Sequence, residues 1–376
     1  MPRAEPRGLR SHAACCLIVT CVSICAMAIC AAAEAARRPV TPQWQKGITF
    51  THLYGDDDNL LSSRSERSMV YLRDEVHVEW IALNSFGYQR LVDSPGVRVG
   101  EDPGDDHIRH AIRQAHELGL KVMLKPHIWL EEQSADHWRG TIAMGSEEDW
   151  KRWFANYESF IMHYARIAEA EDVELLCVGV ELAKAAIEHE EDWRRIIAEV
   201  RRQYPGPLVY AANWWGEYEH LPFWDALDYI GINAFFPLSA VADPSLTDLR
   251  HNAEKIAAEI ATLHQTSGKP VIFTEVGFKS TSGASVRPWE WPRQVEPAIG
   301  LEEQAACYQA ILETFWDKPW FFGMYWWKWF SDLDHGGETH PGFTPRGKPA
   351  ERILSSWFRE PIPSAPGDSL RSMPVD

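Results

Sequence analysis

Past residue 30 this chain is nearly free of cysteine. Five of its seven cysteines (Cys15, Cys16, Cys21, Cys25 and Cys30) crowd one N-terminal apolar segment, and only Cys177 and Cys307 follow. No CxxC pair occurs, so neither a disulfide framework nor a thiolate metal centre is supported. GxGxxG and GxxxxGK[ST] are both missing, which argues against a dinucleotide or P-loop site. No basic stripe carries interleaved aromatics, and the formal charge is −17, which argues against nucleic acid or an anionic membrane as partner. After the N-terminal segment no apolar run is long enough to span a bilayer. His52, His127 and the Asp56–Asp57–Asp58 run are the nearest approach to metal ligands, but the first strand lacks an HxH pair and three successive aspartates read as a solvated loop. Neither a catalytic metal nor a cofactor is expected.

What the chain has in excess is tryptophan, 18 in 376 residues. A core of this size absorbs some of them. Indole faces also suit flat, partly apolar ligands, sugars included.

Residues 1–36 read as an export segment rather than as fold. Arg3, Arg7 and Arg10 form a basic start, His12 to Ala33 is apolar, and Ala31–Ala32–Ala33 with Ala35–Ala36 offers small-residue cleavage sites. The competing reading is an uncleaved signal anchor, which would tether the protein to a membrane. The rest is expected to be one catalytic domain, residues 37–360, followed by a Pro- and Ser-rich tail, residues 361–376, expected to be disordered. A monomer is expected.

From Gly47 onward short apolar runs alternate with helical periods. The runs are Gly47–His52, Val78–Leu83, Lys121–Leu124, Leu175–Val180, Leu208–Ala211, Ala226–Ile232, Val271–Phe273 and Phe321–Trp327. Between them lie helical stretches bounded by punctuation such as Gly119, Ser146 and the Pro205–Gly206 pair. Eight strand–helix repeats predict a parallel sheet, and at this length the natural closure is a single (β/α)8 TIM barrel. A doubly wound open sheet is the runner-up, without the nucleotide loop it would usually advertise.

In such barrels the active site lies at the C-terminal ends of the strands. Those ends carry His52, Asn84, Lys125 with His127, Glu181, Asn213 with Trp214, Asn233, Glu275 and Trp327. Two buried strands thus finish on carboxylates, Glu181 after the fourth and Glu275 after the seventh. An acid ending a buried strand must be paired, desolvated or used. Two of them across one opening suit acetal hydrolysis, which needs a proton for the leaving oxygen and an anion beside the oxocarbenium-like centre. Retaining glycosidases hold these carboxyls about 5–5.5 Å apart and inverting ones about 6.5–9.5 Å.

Six segments carry a resemblance. They are Leu124–Lys125–Pro126–His127, Val178–Gly179–Val180–Glu181–Leu182, Tyr210–Ala211–Ala212–Asn213–Trp214, Asp228–Tyr229–Ile230–Gly231–Ile232–Asn233–Ala234, the run from Phe273 to Ser280, and Gly323–Met324–Tyr325–Trp326–Trp327–Lys328–Trp329. In this order at strand ends they resemble glycoside hydrolase family 113, β-mannanases among the retaining eight-fold barrels. The resemblance implies Glu181 as general acid/base and Glu275 as nucleophile, acting on an oligo- or polysaccharide with β-1,4-mannosidic links. It has two departures. Val180 stands where the wider clan has Asn before the acid/base, so the contact to the sugar 2-hydroxyl is expected from elsewhere, Asn213 being the candidate. Phe235 and Phe236 stand where the family tends to carry tyrosines.

The remaining candidates keep two readings each. Lys125 either bonds a sugar hydroxyl or pairs with Glu181 or Glu275 and shifts their titration. His127 is a substrate contact or a structural hydrogen-bonder. Trp327 is expected to be the stacking floor under the reactive sugar, with Trp326 on the opposite side of its strand in the core. Trp214 is a plausible platform, Trp129, Trp138 and Trp329 weaker ones, and Cys177 is core. Another β-linked glycan as substrate, or a non-catalytic carbohydrate-binding barrel, are the alternatives.

Overall fold

The computed structural model describes residues 42–53, 59–132, 137–291 and 298–362. The expected export segment, the Asp56–Asp58 loop and all but the first two residues of the expected tail lie outside the described residues. All that is described falls within one compact unit, Val40–Asp376.

The strands are β1 (Gln45–Thr51), β2 (Trp80–Gln89), β3 (Arg98–Val99), β4 (Lys121–Leu130), β5 (Leu175–Val180), β6 (Leu208–Asn213), β7 (Tyr229–Asn233), β8 (Val271–Val276) and β9 (Phe321–Phe330). The helices are α1 (Ser63–Asp74), α2 (Asp105–Glu117), α3 (Glu147–Ala170), α4 (Ala183–Glu188), α5 (Glu190–Gln203), α6 (Leu246–Ser267), α7 (Leu301–Phe315) and α8 (Pro349–Arg359). All strands but β3 run parallel, and β1 pairs with both β2 and β9, so eight strands close into a barrel. The expected (β/α)8 fold is the one observed.

Local chemistry sets the helix ends. Ser62, Ser146 and Ser245 each accept a hydrogen bond from a backbone N–H three residues on, capping α1, α3 and α6. Glu147, Glu148 and Asp149 add negative charge to the first turn of α3, where the helix dipole favours it. Gly268 ends α6 at φ +67°, a left-handed turn that glycine adopts without steric cost.

Two apolar layers result. The larger one lies between strands and helices; the smaller fills the barrel with Trp80, Met123, Leu175, Cys177, Val209, Ile272, Tyr325 and their neighbours. Cys177 is core, as expected, and Trp326 faces outward to stack on Tyr308 at 3.8 Å. Gly47 exists because Tyr325 fills the barrel beside it: a Cβ there would meet that ring at 2.5 Å.

Several elements differ from expectation: β4 and β9 run on to Leu130 and Phe330, and β7 begins only at Tyr229. β2 does not stop near Asn84 but runs to Gln89, paired with β4 as far as Leu130 and edged by the short antiparallel β3. Gln89 anchors the extension, accepting the Trp153 indole N–H and donating to the Leu91 carbonyl. The mixed polarity of Asn84–Gln89 hides this strand from a periodicity reading. α4 was also not expected; it is a short helix directly after Glu181.

Candidate active site

Glu275 lies within β8, opposite Asn233 of β7, and is 5% exposed. Lys125 and His127 sit two residues apart on β4, so both side chains leave the same face of the strand. Lys125 Nζ donates to Glu275 Oε1 at 2.6 Å and to the Thr274 carbonyl at 3.2 Å. His127 Nε2 lies 3.8 Å from the same carboxyl oxygen. Lys125 is fully buried and offers no surface to a ligand, so of its two readings the charge pairing is the one realised. Burial pushes the Glu275 carboxyl up, while Lys125 pulls it down and the charge of Glu181 pushes it further up. Protonating Glu275 would strand a buried ammonium, so Lys125 favours the carboxylate form.

His127 is held well below its ordinary titration range by burial, then by Lys125 and Arg139, so its imidazole is neutral. Its Nε2 finds no hydrogen-bond partner among the described residues. A neutral ring nitrogen left free beside Glu275 is suited to a sugar hydroxyl.

Glu181 follows β5 with φ +52°, a left-handed conformation rare for a residue with a side chain. Its N–H donates to the Ala211 carbonyl at 2.9 Å. Arg139 Nη1 donates to Oε2 at 2.9 Å and Asn213 Nδ2 to Oε1 at 3.1 Å, so each carboxyl oxygen is held separately. Asn213 thus meets the acid/base candidate itself. Arg139 escaped the sequence reading because it arrives from a 3₁₀ turn, Arg139–Thr141, in the long β4–α3 connection rather than from a strand end.

Asn233 is brought beneath the site but is fully buried, its Oδ1 accepting the Thr274 hydroxyl at 2.9 Å. It braces β7 against β8 and presents no surface to a sugar. Phe235 and Phe236 are buried too. Phe236 packs edge-on to Trp214 and Tyr218, and Phe235 edge-on to Phe343. They fill an apolar cluster, and among the described residues Lys125 is the hydrogen-bond donor to Glu275.

The mouth is aromatic. Trp327 is half-buried, its ring 6.3 Å from that of Trp291. Trp214 stacks on Trp289 at 5.0 Å, and Trp215, Trp289 and Trp291 are exposed. Trp129 and Trp138 are exposed as well, on the β4 side of the opening. Trp329 is no platform: it is 1% exposed, stacked on Tyr71, with its indole N–H on Ser68 Oγ at 2.9 Å. The pairing explains this: the β1–β9 register shifts between Ile48 and Phe50, so one residue of β1 stands against Trp327 and Lys328 together, and Trp329 does not share the face of Trp327 as residues two apart in a regular strand do. Lys328 follows Trp327 on β9. Its ammonium lies over the rings of Trp291, Trp327 and Phe330 at 5.0, 5.3 and 4.8 Å, and burial lowers it to about 8.

The geometry therefore combines two unequal carboxyls, a buried cation for one of them, and indole faces around the opening. The family model of Glycoside Hydrolase Family 113 matches residues 48–348. Among solved structures, a family 113 β-1,4-mannanase described as a complex is 28% identical, with 85% of this chain and 100% of that one covered at a TM-score of 0.73. The family 113 β-mannanase AaManA of Alicyclobacillus acidocaldarius, in complex with ManMIm, is 30% identical, with 84% and 97% covered and the same TM-score. A GH5_18 variant from Streptomyces cattleya, at 15% identity and a TM-score of 0.56 over 86% and 83% of the two chains, shares the fold. No curated protein sequence matches the chain.

Proposed function

The chain belongs to glycoside hydrolase family 113, and from that premise we propose that it cleaves β-1,4-mannosidic bonds in mannan or manno-oligosaccharides with retention of configuration. That it is a glycoside hydrolase acting on an oligo- or polysaccharide follows from the family; linkage, sugar and residue roles are the proposal. The observation that carries it is the asymmetry of the two carboxyls. Glu275 is buried on the fully buried Lys125, whereas Glu181 is half-buried and held by the partly exposed Arg139 and by Asn213.

In the first step a Glu275 oxygen attacks the anomeric carbon as the bond to the leaving sugar oxygen breaks. Glu181 gives that oxygen its proton, so the departing sugar leaves as an alcohol. In the second step Glu181, now a carboxylate, takes a proton from water while the water oxygen displaces Glu275. Two inversions give net retention and return both carboxyls to their starting states. Lys125 stabilises Glu275 as an anion before attack and after release. Arg139 and Asn213 fix the plane of the Glu181 carboxyl. His127 and Asn213 are the polar contacts proposed for sugar hydroxyls, Trp327 the floor beneath the reactive sugar and Trp214 a platform further out.

The test is product release by the full chain from mannohexaose, with β-glucan and chitosan oligomers in parallel and NMR of the first-formed anomer. Shorter manno-oligomers released as the β-anomer are the expected result. Cleavage of another glycan alone would move the substrate while keeping the mechanism. First release of the α-anomer would sink the double displacement.

Export is part of the same proposal, resting on the basic start and apolar stretch of residues 1–36. N-terminal sequencing of the protein recovered outside the cytoplasm should find a start near residue 36; an intact Met1 in a membrane fraction would favour the anchor instead.

A further inference from the structure

Glu217 is an acid for which the proposed mechanism has no use. It lies in the turn after β6, 0% exposed, and burial raises its carboxyl to about 8, helped by the charge of Glu181. A buried carboxyl next to another one costs stability unless its hydrogen bonds repay it. Its hydrogen bonds are specific. Oε1 accepts from the Tyr210 hydroxyl at 2.6 Å, and Oε2 accepts from the backbone N–H of Asn213 at 2.6 Å.

Each of these partners leads to Glu181. The Tyr210 oxygen accepts the N–H of Leu182 at 2.8 Å, and Leu182 is the residue that follows Glu181. The Asn213 side chain donates to Glu181 Oε1, and its own Oδ1 is fixed by the N–H of Trp215 at 2.9 Å. The links close a ring that runs Glu181, Leu182, Tyr210, Glu217, Asn213 and back to Glu181. The residue at its head has the left-handed backbone, φ +52°. A conformation of that kind persists only where surrounding contacts over-determine it. Here one arm of the ring holds the backbone just after Glu181, and the other holds its carboxyl.

We propose that Glu217 is a positioning residue for the acid/base. It never touches substrate, and through Tyr210 and Asn213 it holds the Glu181 carboxyl at the angle needed to protonate the leaving oxygen. The inference rests on the reading of Glu181 as acid/base. A purely apolar residue at 217 would leave the Asn213 N–H and the Tyr210 hydroxyl without acceptors, freeing both arms together.

The test separates acid catalysis from everything else by changing the leaving group. Mannohexaose needs a proton on its leaving oxygen; 2,4-dinitrophenyl β-mannotrioside does not, because dinitrophenolate departs unaided. Glu217→Gln and Tyr210→Phe, in the full chain, should each lower kcat/KM for mannohexaose by about 30-fold. The same variants should stay within about threefold of wild type on the dinitrophenyl substrate, with KM for mannohexaose little changed. Equal losses on both substrates would mean a merely structural acid and would overturn the inference. Tyr210→Phe guards against poor folding of Glu217→Gln, since it deletes one hydroxyl and keeps the rest of the ring. Glu181→Ala is run beside them and should show the same pattern more strongly. If it loses both substrates alike, the acid/base reading fails and takes this inference with it; if it spares the activated substrate and the ring variants do not, only the inference fails.

Discussion

Glu275→Ala is expected to lower turnover of manno-oligosaccharide by on the order of 10⁵-fold, the scale seen when a covalent nucleophile is removed. Binding of mannohexaose, followed by calorimetry, should persist, because the stacking proposed on Trp327 and the contacts proposed to His127 and Asn213 do not need the carboxylate. The more decisive readout is stereochemical. With the dinitrophenyl mannotrioside, azide enters the space left by Glu275, attacks the anomeric carbon from the same side and gives the α-azide by a single inversion. In Glu181→Ala the mannosyl–Glu275 ester still forms, azide displaces it, and the β-azide results. Opposite anomers from the two variants identify nucleophile and acid/base in one experiment. The β-azide from Glu275→Ala would reverse the assignments.

Lys125→Met is expected to have the next largest effect. The wild-type pair is almost dry, with side chains 0% and 6% exposed and a 2.6 Å contact. Removing one partner of such a pair leaves the other charge uncompensated and costs about 3–5 kcal/mol. Activity should fall by about 100-fold, because the anion is no longer stabilised in place. The pH dependence has a definite sign. Lys125 opposes the upward push of burial on Glu275, so its loss raises that carboxyl further. The acid limb of kcat/KM therefore moves to higher pH. A carboxyl raised above its unfolded value contributes stability that is present below the unfolded pKa and lost as pH rises through the folded one. The deficit of Lys125→Met against wild type should thus be small near pH 4 and deepen toward neutrality. Lys125→Met combined with Glu275→Gln should recover much of the lost stability and none of the activity, as read by urea unfolding at pH 5 and pH 7. A deficit independent of pH, or an acid limb that does not move, would mean that Lys125 acts only by packing.

How much of this site is legible in the sequence depends on where each residue stands in the chain. Glu181 and Glu275 were legible because a buried apolar run that ends on an acid is conspicuous. Asn213 and Trp214 were expected near the opening from their place at the end of β6. Lys125 was found but its task was not. Only burial decides between a cation that meets sugar and one that neutralises a carboxylate, and burial depends on what the other strands place above it. Asn233 shows the converse: a strand-end amide can be buried beneath the site, here with its Oδ1 on the Thr274 hydroxyl, as easily as exposed in it. Trp329 shows that a run of indoles cannot be sorted into platform and core until the strand's path is known. Arg139 and Glu217 were invisible because they reach Glu181 from connections, where no periodicity marks a residue as inward-facing. The barrel itself was legible because eight repeats survive errors in any one of them. The continuation of β2 to Gln89, made of alternating polar and aromatic residues, is such an error.

The closure of β1 on β9 gives the barrel a seam. Trp44 packs on Trp316 at 4.3 Å, Trp316 meets Trp357 and Phe358 of α8, and Lys46 Nζ donates to the Glu360 carbonyl at 3.0 Å. β1 and α8, the first and last elements of the barrel, therefore come together beside the same stack of rings. In topological terms the domain is a ring of eight repeats with one nick, and nothing in the strand ladder distinguishes the nicked junction from the other seven. Joining the two ends through a short flexible linker and opening the exposed connection around Val241 would relocate the nick while keeping every parallel pairing, with Glu181 and Glu275 still at the same rim.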